Sequence, residues 1–404
     1  MLPIATRTAK IAATMTALTG LALTGPVIAS SAASADTSPQ FQVEQILNGK
    51  NLQHTFTPAG SSTSITDRLT NPDDITALGH RLFVGFQNGV GAQGEATSDG
   101  NTASTVVEFT RSGTVINQWD VTGKVDGLTA DPLTGLVIAT VNEDFNSSVY
   151  TIDRASLQVL HYNYNEPLPH FGGTDAISIY HGQVYVSASA PGTGPGSAPA
   201  PQATYPAVYS VTFDPSTLVA TVTPVFNDED PAALANVGPG EGEVVPLGLT
   251  DPDSSEVVPY LAPRFGGAFM LDSQGDLQQI FLHAGEQGDA QGDEPGSGLS
   301  VLNLAYSVDD SAWATSSFGA LFGADASADT VDMVTGPFRP GTMFAAVTPC
   351  NADAAPATCP APGFPANFLG VENMWTGVIT AVTLSGPSFQ PHSLIFVGGG
   401  PRKD

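Results

Sequence analysis

Basic residues are scarce in this sequence. Its 404 residues include 12 Lys plus Arg against 39 Asp plus Glu, which gives a formal net charge of −27. Nucleic acids and anionic membrane surfaces attract proteins through basic patches. The charge balance therefore argues against both as partners of this chain.

Long apolar runs and helical periodicity are also missing. After residue 35 no segment reaches the roughly 18 consecutive apolar residues that a membrane-spanning helix needs, so no membrane span is predicted. The best helix candidate, residues 230–236, is barely two turns long. With 41% apolar and 13% charged residues the chain is not disordered either, because disordered chains have the opposite balance.

Established catalytic signatures are absent. The sequence has no Gly-x-Ser-x-Gly elbow, no His-Glu-x-x-His and no Walker-type phosphate loop. One Gly-x-Gly-x-x-Gly occurs at Gly89, Gly91 and Gly94, but the polar segment after it does not predict the helix that a dinucleotide site requires. We predict a loop there, and no nucleotide or organic cofactor.

The first 35 residues predict a signal peptide. Arg7 and Lys10 precede an apolar segment, and Ala33-Ser34-Ala35 fits the small-x-small rule for cleavage before Asp36. No Arg pair precedes the apolar segment, which favours the general secretory pathway over the twin-arginine route. We therefore expect an extracellular protein whose mature chain has a charge of −29, because it keeps all 39 acids but only 10 of the 12 basic residues.

Only two cysteines are present, Cys350 and Cys359. They lie in one loop rich in Pro and Ala, and a metal site would require further Cys or His residues nearby. In a secreted chain the simplest expectation is a disulfide between them.

Short apolar segments of strand type recur along the mature chain, separated by turns rich in Gly, Pro, Asp and Asn. A clear example is Val137-Ile138-Ala139-Thr140-Val141. A common opening phrase, a small cluster with Asp followed by an apolar strand, begins a group of about four such segments. The six openings are marked by Asp73, Asp126, Asp175, Asp253, Asp309 and His392.

Successive openings are 53, 49, 78, 56 and 83 residues apart. A period near 50 residues with four strands is typical of a β-propeller blade. The long steps contain apparent loop insertions near residues 191–206, 228–243 and 350–365. The sequence therefore predicts an all-β protein in which residues 36–404 form a single six-bladed β-propeller.

Two further features bear on the closure of this propeller. A competing repeat that starts at Asp332 gives seven blades as the alternative. A propeller must tie its last blade to its first or leave an unpaired edge. We therefore predict that an N-terminal strand, within residues 40–46 or 51–57, pairs into the blade formed by the C-terminal segment.

The phrase Asp126-Gly-Leu-Thr-Ala-Asp-Pro-Leu-Thr-Gly135 resembles the blade phrase of gluconolactonase/senescence-marker-protein-like and NHL-type propellers. The resemblance covers most of residues 60–400 at the level of the fold. The gluconolactonase-like enzymes hold a divalent cation in the central channel with Glu, Asn and Asp side chains and open lactone rings. Their ligand set has no residue-by-residue match in this sequence, so their activity is not carried over.

The openings of the blades supply the candidate site. Equivalent residues of different blades converge at one channel mouth, so Asp73, Asp126, Asp175, Asp253, Asp309 and His392 are expected to form a ring. Hard oxygen ligands favour Ca²⁺ or Mg²⁺. The alternative is that each Asp caps its own turn.

Three functions remain open at this stage. The first is a secreted, monomeric propeller that binds a ligand or protein at one mouth of its channel, with or without a divalent cation. The second is a metal-dependent hydrolase of the lactonase or esterase type. The third is a structural protein of the cell envelope.

Overall fold

A computed structural model describes residues 41–192, 204–283, 298–349 and 367–399. The predicted signal peptide and both cysteines lie outside these residues, as do most of the predicted insertions at 191–206 and 350–365. The described residues include no helix with the length and apolar character needed to cross a bilayer.

The described chain is almost entirely β-strand. Its two short helices are a 3-10 turn at Gly49–Asn51 and the single turn α1 (Pro169–Gly172). The strands up to residue 164 are β1 (Phe41–Asn48), β2 (Gln53–Phe56), β3 (Ile65–Arg68), β4 (Pro72–Leu78), β5 (Arg81–Phe86), β6 (Ala103–Thr110), β7 (Val115–Thr122), β8 (Val125–Ala130), β9 (Leu136–Val141), β10 (Ser148–Asp153) and β11 (Gln158–Tyr164).

The next strands are β12 (Thr174–Tyr180), β13 (Gln183–Ala188), β14 (Pro206–Asp214), β15 (Val219–Asn227), β16 (Pro231–Leu234), β17 (Val244–Pro246), β18 (Pro252–Val257), β19 (Phe269–Ser273), β20 (Gln278–Leu282) and β21 (Leu299–Asn303). The last strands are β22 (Val308–Trp313), β23 (Gly319–Asp325), β24 (Thr330–Thr335), β25 (Met343–Val347), β26 (Phe368–Asn373), β27 (Val378–Ala381), β28 (Leu384–Ser385) and β29 (Ser393–Gly398).

These strands assemble into antiparallel groups of four, called units here. Units one to three use consecutive strands, β4–β7, β8–β11 and β12–β15. Unit four is β18–β21, and β16 and β17 extend its outer edge. Units two and three also join at their rims, where Asn163 of β11 pairs in parallel with Val219 of β15.

The last two units interleave along the chain. β22 begins unit five, but the next hairpin, β23–β24, belongs to unit six. The chain then returns to unit five for β25, β26 and β27 and ends with β29 as the inner strand of unit six. The Asp332 repeat therefore does not open a blade, because Asp332 lies in the third strand of unit six while Met343 lies in the second strand of unit five.

The inner strands of these units contact one another in a closed ring. Within the described residues the ring is formed by β4, β8, β12, β18, β22 and β29. Six apolar clusters fill the spaces between neighbouring units. A ring of four-stranded sheets around a channel is a β-propeller, as the sequence predicts.

The N-terminal strand completes the last unit. β1 pairs antiparallel with β24, for example Val43 with Val334, and pairs in parallel with β28 through Phe41 and Leu384. Unit six therefore combines an N-terminal strand with the C-terminal strand β29, which confirms the predicted closure. It also covers the edge of β24 that would otherwise be unpaired.

The helix candidate at residues 230–236 is wrong, because this segment is not helical in the structure. Residues 231–234 form β16, whose Ala233 pairs in parallel with Ser300 of β21. A segment of this length does not form a stable helix alone, and pairing with unit four satisfies its backbone instead. Gly89 and Gly94 both have positive φ in the loop between β5 and β6, as predicted.

Candidate functional site

All six predicted ring residues line one cavity of about 780 Å³ at the mouth of the channel. For five of them, the position of the side chain in the cavity has the same local structural cause. β4, β8, β12, β18 and β22 each carry a β-bulge at their first residues, and the opening Asp lies within it. A bulge turns one side chain away from the regular alternation of a strand. His392 immediately precedes β29.

In two units the acid next to the ring residue accepts the backbone hydrogen bonds that the capping alternative assigned to the ring residue. Asp74 accepts hydrogen bonds from Ile75 N in its own strand and from Leu128 N in β8. Asp310 accepts from Ser311 N and, at 2.6 Å, from Leu394 N in β29. These two carboxylates tie adjacent inner strands together, so the ring residues Asp73 and Asp309 are not needed as caps for these amides.

The tightest group of acids contains Asp126, Glu143 and Asp175. One oxygen from each lies within 4.8 Å of the others. Asp126 and Asp175 are 8% and 7% exposed, and the buried Asp126 Oδ2 has no hydrogen-bond partner. Three convergent carboxylates with an unused buried oxygen have the geometry and the hard-ligand chemistry of a divalent-cation site.

Backbone contacts hold this group together. Gly127 follows Asp126, and a Cβ at this position would lie 2.3 Å from the carbonyl oxygen of Asp175. Thr140 Oγ1 accepts a hydrogen bond from Gly127 N at 2.9 Å and lies 3.1 Å from the Asp175 carbonyl oxygen, to which it donates. Glycine and threonine thus allow β8 and β12 to approach closely enough for the two carboxylates to meet.

Lys124 balances part of the negative charge. Its Nζ lies 3.5 Å from Asp126 Oδ1 and also pairs with Glu143 Oε1. Burial opposes the charged ammonium, but Asp126 and Glu143 outweigh it and hold the Lys124 pKa above its ordinary value. Burial, then the Asp126 charge, raises the pKa of Glu143 to about 8 and that of Asp175 well above its usual range. With all three acids ionised, the group carries two uncompensated negative charges.

A second group lies on the other side of the cavity. His392 Nδ1 is 2.9 Å from Asp309 Oδ2, and Gln274 Nε2 donates to Asp309 Oδ1 at 2.9 Å. Burial opposes the charged imidazolium, but Asp309 outweighs it and raises the His392 pKa to about 9. Burial and the Asp309 carboxylate raise the pKa of Asp253 well above its usual range. His392 is therefore protonated at neutral pH and can act as a proton donor.

The remaining ring acid, Asp73, interacts electrostatically with charged side chains of both groups. Burial raises its pKa to about 7; Lys124 and His392 lower it, and Asp309 raises it. Within the described part of the chain, the lining contains many acids but only two basic side chains, Lys124 and His392. When these acids are ionised, the cavity is accordingly a negative pocket that attracts cations.

Sequence reasoning missed Lys124 and Glu143. Asp251 lies two residues before Asp253, and burial, with Asp276 next, raises its pKa to about 7. Glu143 follows β9, which pairs antiparallel with β8, so its position beside Asp126 depends on that pairing. The pattern that could have found Glu143 is an acid just after the second strand of a unit, at the same edge of the sheet as the opening Asp.

Comparison with known proteins assigns this chain to no family. No family model matches the sequence, and no curated protein matches it. Among solved structures the chain is similar to hydrazine synthase of Kuenenia stuttgartiensis, with 14% identity, a TM-score of 0.38 and coverage of 78% of this chain and 66% of that one.

Two other solved structures give similar values. A protein of unknown function from Bacteroides caccae has 10% identity and a TM-score of 0.43, and covers 89% of this chain and 99% of its own. A luciferin-regenerating enzyme has 13% identity and a TM-score of 0.37, with coverage of 74% and 97%. The class of protein is therefore defined by its own topology and site: a β-propeller with an acidic channel mouth.

Proposed function

We propose that this protein binds a divalent cation, Ca²⁺ or Mg²⁺, at Asp126, Glu143 and Asp175, and through it a polar ligand in the channel-mouth cavity. The single observation that carries the proposal is the convergence of three carboxylates within 4.8 Å around the unpartnered Asp126 Oδ2. Like charges at this separation favour protonation unless a cation lies between them. Oxygen ligands without Cys suit Ca²⁺ or Mg²⁺ better than Zn²⁺.

The cavity leaves room for a ligand beside the cation. Its volume of about 780 Å³ falls in the range of small-molecule sites. Lys124 and His392 give it two hydrogen-bond donors at separate points of the wall. A ligand with several hydroxyl or carboxyl oxygens would use both the cation and these donors.

Calorimetric melting tests the cation site. The wild-type protein is melted with Ca²⁺, Mg²⁺ or chelator, beside Asp126→Asn, Asp175→Asn and the exposed control Asp67→Asn. Binding to the folded state alone adds roughly 2.7 kcal/mol at one hundred times Kd. We expect this gain in wild type and Asp67→Asn and a clearly smaller gain in the other two variants. Equal gains in all four proteins, or none in wild type, would contradict the proposal.

A second candidate function is metal-dependent hydrolysis of an ester or lactone. The observation that favours it is the His392–Asp309 pair at 2.9 Å on the same cavity. A bound cation would polarise the carbonyl oxygen, and protonated His392 could donate a proton to the leaving oxygen. Chelator-sensitive turnover of a lactone and ester panel, lost in His392→Gln, is the expected result. If no substrate turns over above background while the cation still binds, the protein is a binding propeller.

A further inference from the structure

A further group of acidic and amide side chains, separate from the two groups at the channel mouth, lies between units four and five. Asp272 of β19 and Gln279 of β20 are paired across unit four. Glu372 lies on β26 of unit five. The three side chains are 1%, 0% and 6% exposed, so all are more than nine-tenths buried.

Four oxygens of this group lack a hydrogen-bond partner. Asp272 Oδ1, Gln279 Oε1 and both carboxylate oxygens of Glu372 are buried without a hydrogen-bond partner. The other Asp272 oxygen accepts from Ser311 Oγ at 2.8 Å and Ser254 Oγ at 3.1 Å. Glu372 has no hydroxyl donor of this kind among the described residues, but the Gln279 side chain acts on it as a donor and lowers its pKa.

Two observations place Glu372 near the other two residues. Gln279 Nε2 reaches across the interface to Met343 Sδ at 3.8 Å, and the next residue, Phe344 of β25, pairs with Val371, which precedes Glu372 in β26. The Asp272 carboxylate also acts electrostatically on Glu372, where it adds to burial in raising the pKa. The two acids therefore lie near one another at the interface of units four and five, where Met343 belongs to the apolar cluster between these units.

No basic side chain neutralises these acids. None of the ion pairs formed by the described residues includes Asp272 or Glu372. Burying an uncompensated carboxylate is costly, so either a proton or a cation must be present. Four unused oxygens from carboxylates and an amide exceed what one proton can satisfy, but they are the ligand types of a hard cation.

We infer that Asp272, Gln279 and Glu372 form a second, buried cation site that joins units four and five. The cation class is Ca²⁺, with carboxylate and amide oxygens as ligands and water completing the coordination. The site does not depend on the proposed function at the channel mouth, because none of its residues lines that cavity. Its role is structural: one ion bridges two sheets that otherwise bring two like charges together.

Metal analysis counts the two sites separately. The full chain is equilibrated with Ca²⁺, passed through a desalting column and assayed for bound calcium. The proteins are wild type, Glu372→Gln, Asp126→Asn, the double variant and the exposed strand control Glu44→Gln. We expect Glu372→Gln to hold one equivalent fewer than Glu44→Gln, and the double variant to hold one equivalent fewer than Asp126→Asn. Equal calcium in these two proteins would overturn the inference and leave a protonated Glu372 as the explanation.

A luminescence measurement keeps the test valid if Glu372→Gln does not fold. Tb³⁺ replaces Ca²⁺ and emits when a nearby tryptophan is excited. Trp313 pairs with Met343, so it lies about two strand spacings from Glu372, within roughly 10 Å. In the Asp126→Asn background, Trp313→Phe should remove most of the sensitised emission and Trp119→Phe should keep it. Unchanged emission in Trp313→Phe would argue against the site.

Discussion

The Thr140 hydroxyl on β9 donates a hydrogen bond to the carbonyl oxygen of Asp175 on β12, at 3.1 Å. Thr140 is fully buried and has no contact with solvent. One hydroxyl thereby connects the second strand of unit two to the bulge that presents Asp175. The spacing of two candidate cation ligands thus depends on a residue that is not itself a ligand.

Replacing Thr140 with Val should therefore weaken cation binding without removing any carboxylate. Changes to residues that orient ligands typically cost 10- to 100-fold in metal affinity, and we expect about 10-fold here. Titration calorimetry with Ca²⁺ measures the effect, with the exposed strand variant Thr212→Val as control. An affinity equal to that of Thr212→Val would show that the hydroxyl does not position Asp175.

The stability of the cation-free protein should fall as pH rises. Burial raises the pKa of Asp73 and Asp251 to about 7 and that of Glu143 to about 8. A carboxyl whose folded-state pKa is raised stabilises the fold below its unfolded pKa, and this contribution is lost as pH passes the folded value. His392, with a pKa raised to about 9, acts in the same direction at higher pH.

Melting temperatures in chelator should accordingly decline between about pH 5 and pH 8.5. Saturating Ca²⁺ should reduce the decline, because the cation replaces the protons that the acids lose. Differential scanning calorimetry across this range, with and without chelator, measures both slopes. A melting temperature in chelator that stays level or rises with pH would show that these acids do not control stability.

Removing β1 should expose a sheet edge. Deleting residues 36–48 takes away the partner of β24 and leaves its backbone groups unpaired. An exposed edge strand pairs with other chains, so we expect dimers and larger aggregates in light scattering after size exclusion, whereas the full chain should be a monomer. The control deletion of residues 36–39 leaves β1 intact. A monomeric 36–48 deletion that melts at the control temperature would contradict this role.

Export and the disulfide remain predictions from the sequence. Protein recovered from the medium should begin at or near Asp36, and its intact mass should be two hydrogens below the reduced value. Peptide mapping should place the bridge between Cys350 and Cys359. An exported chain that still begins at Met1, or two thiols that alkylate without reduction, would refute the respective expectation.

The positions of the ring residues could be predicted because each opening phrase encodes a local structure. The inner strand begins with Pro before Asp73 and Asp253 and with Val before Asp126 and Asp309. The bulge then forms within the same few residues. A period of about 50 residues brings such local features together whenever the chain closes into a ring.

The interleaving of units five and six could not be predicted in this way. The sequences of β23 and β24 are apolar strand segments that would suit either unit five or unit six. The choice depends on partners distant in sequence, since Leu321 pairs with Phe396 and Val334 with Val43. Glu143 was missed for a related reason, because only the β8–β9 pairing brings it to Asp126.

Unit six is built from strands that are distant in sequence, and this affects how the protein folds during synthesis. Its strands come from residues 41–48, 319–335 and 393–398, so it cannot be completed until nearly the whole chain has been synthesised. Contacts between such distant segments form slowly, because a long loop must close before they gain any stabilisation. β1 therefore has no partner until β24 has been synthesised. Ring closure is expected to be the slow step of folding.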